Sequence, residues 1–290
     1  YTCPTIINLM KKLKLKIYFY DMFESNLEKK IKNIKDKVLV IIPIFYGFKP
    51  WINYIKLGKK FKNKIFILLD GAQAAYSHLE YRTPLKGAIL SCPHKSLGIN
   101  DGSILRLSKI DAIQRMNYNC LKKEKRFNKI KKNSRILLNS SDAQKEKKGL
   151  ILSKKLENWK SLPPKKISSI SLQKFLNIDQ DKHRIIRIKN YKFILKNLGK
   201  YFPKIKKLQL GTPFGYPLLS KKREKLLQML HKERVFASPL WHNNKYVNKK
   251  FKNAYLFKKN FLSLPLDQRY TIKDLKEMIN RVKFALRKIK

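Results

Sequence analysis

Three short stretches carry residues whose types and order could do chemistry. Asp70 ends the apolar run Lys64–Asp70 (KIFILLD) and is followed by Gly71, Ala72 and Gln73. A carboxylate closing a strand of Ile, Phe and Leu is partly desolvated and needs a cationic partner, such as a protonated ring nitrogen. Lys95 lies in the run SCPHKSLG, residues 91–98, just after a second short apolar stretch. A lysine amine adds to an aldehyde only in its neutral form, so burial that depresses its pKa would help. Residues 100–103, Asn-Asp-Gly-Ser, have turn chemistry and would fix the loop that carries Lys95. Taken singly, each feature has a plainer reading. A strand-terminal Asp is commonly a cap or turn residue, and His94 reads as a loop residue with a satisfied hydrogen bond. The order along the chain is what points to a site: a strand ending in Asp, a second strand, a lysine loop, a glycine turn and a further strand.

The elements that must position these residues can be read from hydrophobic pattern. Lys37–Ile44, Lys64–Asp70, Gly87–Cys92 and Ser103–Leu107 read as strands, the first two almost continuously apolar. Leu13–Asp21 ends in a further strand-like run, and Pro50–Lys60 has helical spacing. Strands separated by helical stretches imply an α/β fold with a parallel or mixed sheet and helices on its faces. Asp111–Ile130 reads as a basic helix, and the polar stretch 133–149 as a linker. Beyond it, Lys182–Leu198 and Ser220–His231 read as helices, Lys206–Leu219 as a strand broken by turns, and Val235–Ser238 and Phe261–Leu264 as short strands. Thr271 can cap a last helix whose Leu275, Met278, Ile279, Val282 and Leu286 share one face. The expected organisation is a large domain over 1–132, a linker over 133–149 and a smaller α+β domain over 150–290.

Composition narrows the function classes. The 290 residues carry 68 Lys and Arg against 19 Asp and Glu, a net charge of +49, and only 12 of the basic residues are Arg. Lysines spread along the whole chain are expected on solvated faces, whereas a specific nucleic-acid module concentrates basic residues on one face. Specific nucleic-acid binding is therefore not expected; were it present, affinity would fall steeply with salt. Three cysteines without metal or redox spacing point to a reducing compartment, so the cytoplasm is expected. No run is long and apolar enough for a membrane span.

The order of the site motifs resembles that of pyridoxal-phosphate (PLP) enzymes of fold type I. Asp70-Gly71-Ala72-Gln73 resembles the Asp-x-x-Gln motif of the DegT/DnrJ/StrS sugar aminotransferases and of the class V aminotransferases. His94-Lys95, with Gly98 and Gly102 after it, fits either branch. Other stretches resemble the DegT side: residues 1–3 with Tyr20-Asp21, the run IPIFYG at 42–47, residues 216–219 with Arg223, residues 238–241, and the C-terminal stretch FLSLPLDQRY at 261–270. The resemblance runs from Tyr1 to the last helix and is weakest over 108–200. It places the family's N-terminal helix and its phosphate-holding turn before Tyr1.

That resemblance implies the fold type I architecture: a mixed, mostly parallel sheet with helices on both faces, plus a smaller C-terminal α+β domain. It implies pyridoxal 5'-phosphate as cofactor, with Lys95 as the catalytic lysine that holds it. Asp70 would pair with the pyridine nitrogen, Gln73 would bond near the ring hydroxyl, and Ser91 would be the hydroxyl that meets the phosphate. The expected activity is transfer of an amino group from an amino acid, glutamate being the expected donor, to a nucleotide-linked keto sugar in glycan biosynthesis, by a homodimer. The alternative is a non-catalytic homologue that keeps the fold and binds PLP or a sugar nucleotide without turnover. A class V-like lyase would need a downstream nucleophilic cysteine, and none follows Cys120.

Overall fold

A computed structural model describes residues 2–23, 26–108, 125–157, 165–199 and 210–289. The chain enters through helix α1 (Pro4–Lys12) and helix α2 (Leu27–Asn33). Four strands follow: β1 (Val38–Pro43), β2 (Ile65–Gly71), β3 (Gly87–Ser91) and β4 (Ile104–Leu107), with helix α3 (Tyr54–Lys60) between the first two and the short helix α4 (Ser77–Glu80) between the next. They form one sheet in the order β1-β2-β3-β4, with the first three parallel and β4 antiparallel to β3. This is the mixed, mostly parallel sheet expected from the long apolar runs.

One face of the sheet is well covered. Val40, Ile42, Ile65, Ile67, Leu69 and Ile89 pack against Leu27 and Ile31 of α2 and Leu57 of α3. Burial of each such side chain stabilises the fold by about 1.5–3 kcal/mol. The opposite face is barer: Leu39, Phe66 and Leu105 are 42, 42 and 46% exposed.

The second half begins with α5 (Lys125–Leu138) and α6 (Ala143–Glu157), two antiparallel helices, where Ser134 donates to the Gly149 carbonyl. The stretch 133–149 that reads as a linker is thus largely helical; its polar sequence suits a hairpin with wide solvent exposure. Most of the expected helix Asp111–Ile130 lies outside the described residues. Helices α7 (Ser169–Leu176), α8 (Gln180–Leu198) and α9 (Arg223–Lys232) follow, then α10 (Lys252–Asn260) and α11 (Ile272–Lys288). Strands β5 (Tyr216–Leu219) and β6 (Phe261–Leu264) pair antiparallel. Thr271 caps α11 in a reciprocal capping box with Asp274, as its position suggests. Two expected strands do not form. Val235–Ser238 contributes only an isolated bridge, Ser238 to Ser263, and Leu13–Asp21 runs unpaired. No described helix is long and apolar enough to cross a membrane.

The two halves share one large core. Phe45, Tyr46 and Phe48, from the turn after β1, join Tyr191, Tyr216, Phe257 and Phe261. The backbone seals this junction. Tyr46 and Gly47 both have positive φ, 54° and 78°, and their carbonyls accept from Phe214 and Gly211. A Cβ on Gly47 would lie 1.9 Å from the Thr212 carbonyl oxygen. Gly47→Ala is therefore expected to cost at least about 2 kcal/mol, since the left-handed backbone and the clash add. Urea unfolding at equilibrium measures this, and a loss under 0.5 kcal/mol, about the level of a neutral surface change, would show that the junction yields freely.

Candidate active site

Parallel strands present their carboxyl ends on one edge of the sheet, where open α/β folds place their ligands. Asp70 sits near the end of β2, opposite Pro43 of β1 and Leu90 of β3. It is buried, 5% exposed. Its Oδ1 accepts the Ala72 N–H at 3.0 Å. Burial pushes its pKa above the usual carboxylate range, against the opposing influence of that N–H, the Lys95 charge and the Thr2 hydroxyl. Desolvation is the largest of these influences.

Lys95 ends a 3-10 turn, Pro93–Lys95, that begins two residues after β3. Its charge acts on both Asp70 and the Cys92 thiol, whose pKa burial pushes up. The sheet register thus brings Asp70 and Lys95 together as the motif order suggests. Their environments are unequal, because Lys95 is exposed rather than buried. Gln73, in the turn after β2, is buried on the same edge. His94 is a loop residue whose Nδ1 pairs with the Gly102 carbonyl at 2.8 Å. Gly102 has a φ of 107° and lies against Ile167, a conformation that the expected glycine turn requires.

Ser91 is placed differently from its expected role. It is fully buried, its Oγ lies 2.6 Å from Ser77 Oγ, and it accepts the His78 N–H. Its Oγ ties β3 to α4 from inside the protein.

The loop of Lys95 is also held by residues that sequence patterns did not single out. Gln268 Nε2 donates to the Ser96 carbonyl at 3.1 Å, and Gln268 Oε1 accepts from Arg187 Nε at 2.9 Å. Arg187 is 3% exposed and also donates to the Pro213 and Phe214 carbonyls. On the other side, Lys131 and Arg135 of α5 donate to Asn100, and Asp101 accepts from Ser168. Burial lowers the Lys131 pKa to about 8. The only sequence signal for Arg187 is its type: an Arg in a chain that otherwise prefers Lys.

These residues fit PLP in part. A buried carboxylate lacking a full counter-charge suits a protonated pyridine, and a lysine stands beside it. Among the described residues no cluster of His, Cys, Asp and Glu could hold a metal.

The raised pKa of Asp70 has a defined sign in stability. Folding favours the protonated acid, so its contribution is most favourable below the unfolded value of about 3.9 and is lost as pH rises through the higher folded value. Asp70→Asn keeps an oxygen for Ala72 and carries no charge. The variant should gain stability relative to the parent as pH rises from acid to neutral, read as the difference in urea midpoints of the two cofactor-free chains. Parallel midpoints across that range would mean that Asp70 is solvated.

No protein-family model and no curated protein matches the sequence. Solved structures do match. A protein described as a PLP-dependent aminotransferase from Bacillus cereus aligns over 97% of this chain and 77% of its own, at 15% identity and a TM-score of 0.64. A DegT DnrJ EryC1 StrS aminotransferase from Brucella abortus aligns over 98% and 77%, at 13% identity and a TM-score of 0.61. The sugar aminotransferase CalS13 from Micromonospora echinospora aligns over 98% and 78%, at 14% identity and a TM-score of 0.62. At such identities the likeness is one of architecture: the chain has the fold of the PLP-dependent sugar aminotransferases.

Proposed function

We propose that the chain binds PLP at the carboxyl edge of its sheet and acts as an aminotransferase on a keto sugar. The observation that carries this reading is that buried Asp70, near the end of β2, feels the charge of Lys95, in the turn that follows the adjacent parallel strand β3. A buried acid is costly, and a cationic ligand beside it would offset part of that cost. In this reading Asp70 holds the proton on the ring nitrogen, Gln73 donates to a polar group of the ring, and Lys95 anchors the cofactor. The Lys95 amine then takes and returns the proton at the substrate carbon. PLP supplies an electron sink for the charge that develops there.

The finer parts of the proposal are a nucleotide-linked sugar, an amino-acid donor with glutamate as first choice, and a homodimer as the working unit. A diphosphate-bearing substrate suits a chain of net charge +49. The position of Ser91 favours a second reading, a fold-retaining homologue without turnover, because the hydroxyl expected at the phosphate is taken up inside the protein.

One experiment separates them. The chain is incubated with PLP, its visible spectrum recorded, and the mixture reduced with borohydride and digested for mass spectrometry. The expected result is a visible band and a reduced pyridoxyl group on Lys95, both lost in Lys95→Ala. Amination of nucleotide keto sugars by glutamate should then fall in that variant by at least about 100-fold. A band without turnover selects the non-catalytic homologue. No band at saturating PLP removes the cofactor from both.

A further inference from the structure

Lys95 is exposed, so the backbone around it sets where its side chain starts. The turn's own hydrogen bonds fix its shape. Lys95 donates to the Cys92 carbonyl, and Ser96 and Leu97 both donate to the Pro93 carbonyl. These bonds do not fix where the turn sits in the molecule. Two contacts from outside the loop act next to Lys95. Leu97 is buried with Ala75 and Tyr76, an apolar contact that leaves direction open. The Ser96 carbonyl accepts from Gln268 Nε2 at 3.1 Å, and that contact is directional.

Gln268 is itself held at its backbone and at its side chain. Buried Asn190 of α8 donates from Nδ2 to the carbonyls of Leu266, Asp267 and Tyr270, which grips the segment around it. Arg187 lies about one turn earlier on α8 and donates from Nε to Gln268 Oε1 at 2.9 Å. A guanidinium has donors only, so it admits one orientation of the amide, with the oxygen towards Arg187. The donor that remains is the one that meets Ser96. An amide suits both neighbours, because it accepts from one and donates to the other. A carboxylate offers no donor, and an apolar side chain offers neither group.

We propose that Gln268 is a positioning residue for Lys95. Its amide, oriented by Arg187, sets the place of the lysine turn at the carboxyl edge of the sheet, where Asp70 lies. It acts through the Ser96 carbonyl rather than by contact with cofactor or substrate. The inference rests on the reading of Lys95 as the PLP lysine, and its loop half is measurable without cofactor.

The rival role for the same bonds is plain stability, and two variants separate the roles. Gln268→Glu keeps an acceptor for Arg187 and adds charge to that contact, but sets an oxygen against the Ser96 carbonyl. Gln268→Met stays neutral, has similar volume and loses both bonds. The full chain and both variants are compared by urea unfolding, by hydrogen exchange without cofactor, and by PLP titration of the visible band. Borohydride reduction and mass spectrometry then locate the pyridoxyl group.

In Gln268→Glu the urea midpoint should match or exceed that of the parent. Exchange at Ser96 and Leu97 should quicken, and the PLP dissociation constant should rise, each by roughly five- to tenfold, the scale of one lost hydrogen bond. Gln268→Met should lose PLP affinity to the same degree and unfold at lower urea. Parent-like exchange and affinity in Gln268→Glu would overturn the proposal. So would losses that follow the urea midpoint across the three chains, which mark a stability role. A loss in Gln268→Glu with none in Gln268→Met would also overturn it, since charge alone would then be acting on Lys95. If Gln268→Glu fails to fold by circular dichroism, Gln268→Met decides: quickened exchange at Ser96 and Leu97 but not at Leu275 of α11 supports positioning, and uniform quickening overturns it. A parent chain that takes up no PLP overturns the functional reading and the cofactor half of this one, while exchange still decides whether Gln268 holds the turn.

Discussion

The guanidinium of Arg187 is the contact on which the arrangement of this chain most depends. A buried cation is tolerated only when its donors are taken up, and removal of a partner from such a group costs about 3–5 kcal/mol. Here one side chain on α8 holds three other segments: the turn at Pro213–Phe214, Gln268 after β6, and through Gln268 the Ser96 carbonyl beside Lys95. The second half of the chain is therefore fastened to the lysine loop by a hydrogen-bonded chain rather than by apolar packing alone. Apolar contact is nondirectional and lets a loop slide, whereas this link sets its position. Burial lowers the pKa of Arg187, and the Asp267 charge and the Tyr76 phenol favour its charged form.

Asp70 and Lys95 divide their environments as a cofactor site would need, although not as the lysine chemistry alone suggests. The acid is the buried partner and the amine the exposed one. A buried acid is held by its strand and cannot turn away from a ligand. An exposed lysine on a short 3-10 turn keeps the rotamer freedom that bond formation and proton movement both demand. The sheet thus supplies rigidity, and the loop supplies reach.

Much of this was legible locally. The strand positions follow from unbroken apolar runs, the α11 cap from Thr271 three residues before Asp274, and the loop of Lys95 from its glycine turn. What was not legible depends on distant partners. Nothing around Ser91 announces that Ser77 and His78 will take up its hydroxyl. Leu13–Asp21 has the composition of a strand but pairs with none among the described residues, and Val235–Ser238 alternates buried and exposed side chains as a strand would yet forms only one bridge. The helical hairpin of α5 and α6 is hidden by its polarity, because an exposed helix needs only a narrow apolar stripe. Arg187 looks like any other basic residue until the fold buries it.

The few arginines of this lysine-rich chain bear on how its sequence can change. Six arginines tie separate segments together: Arg106 to the His78 carbonyl, Arg135 to Asn100, Arg184 to Glu80, Arg187 to its three segments, Arg223 to the Lys258 carbonyl and Arg281 to the Glu233 carbonyl. A planar fork holds its five donors in a fixed geometry, which the three rotatable donors of an ammonium cannot copy. Exchange of one surface lysine for another polar residue leaves such a structure almost unchanged. An Arg-to-Lys exchange, the mildest change by charge, would unpick a seam. These arginines are therefore positions where a change of residue type costs structure even when charge is kept.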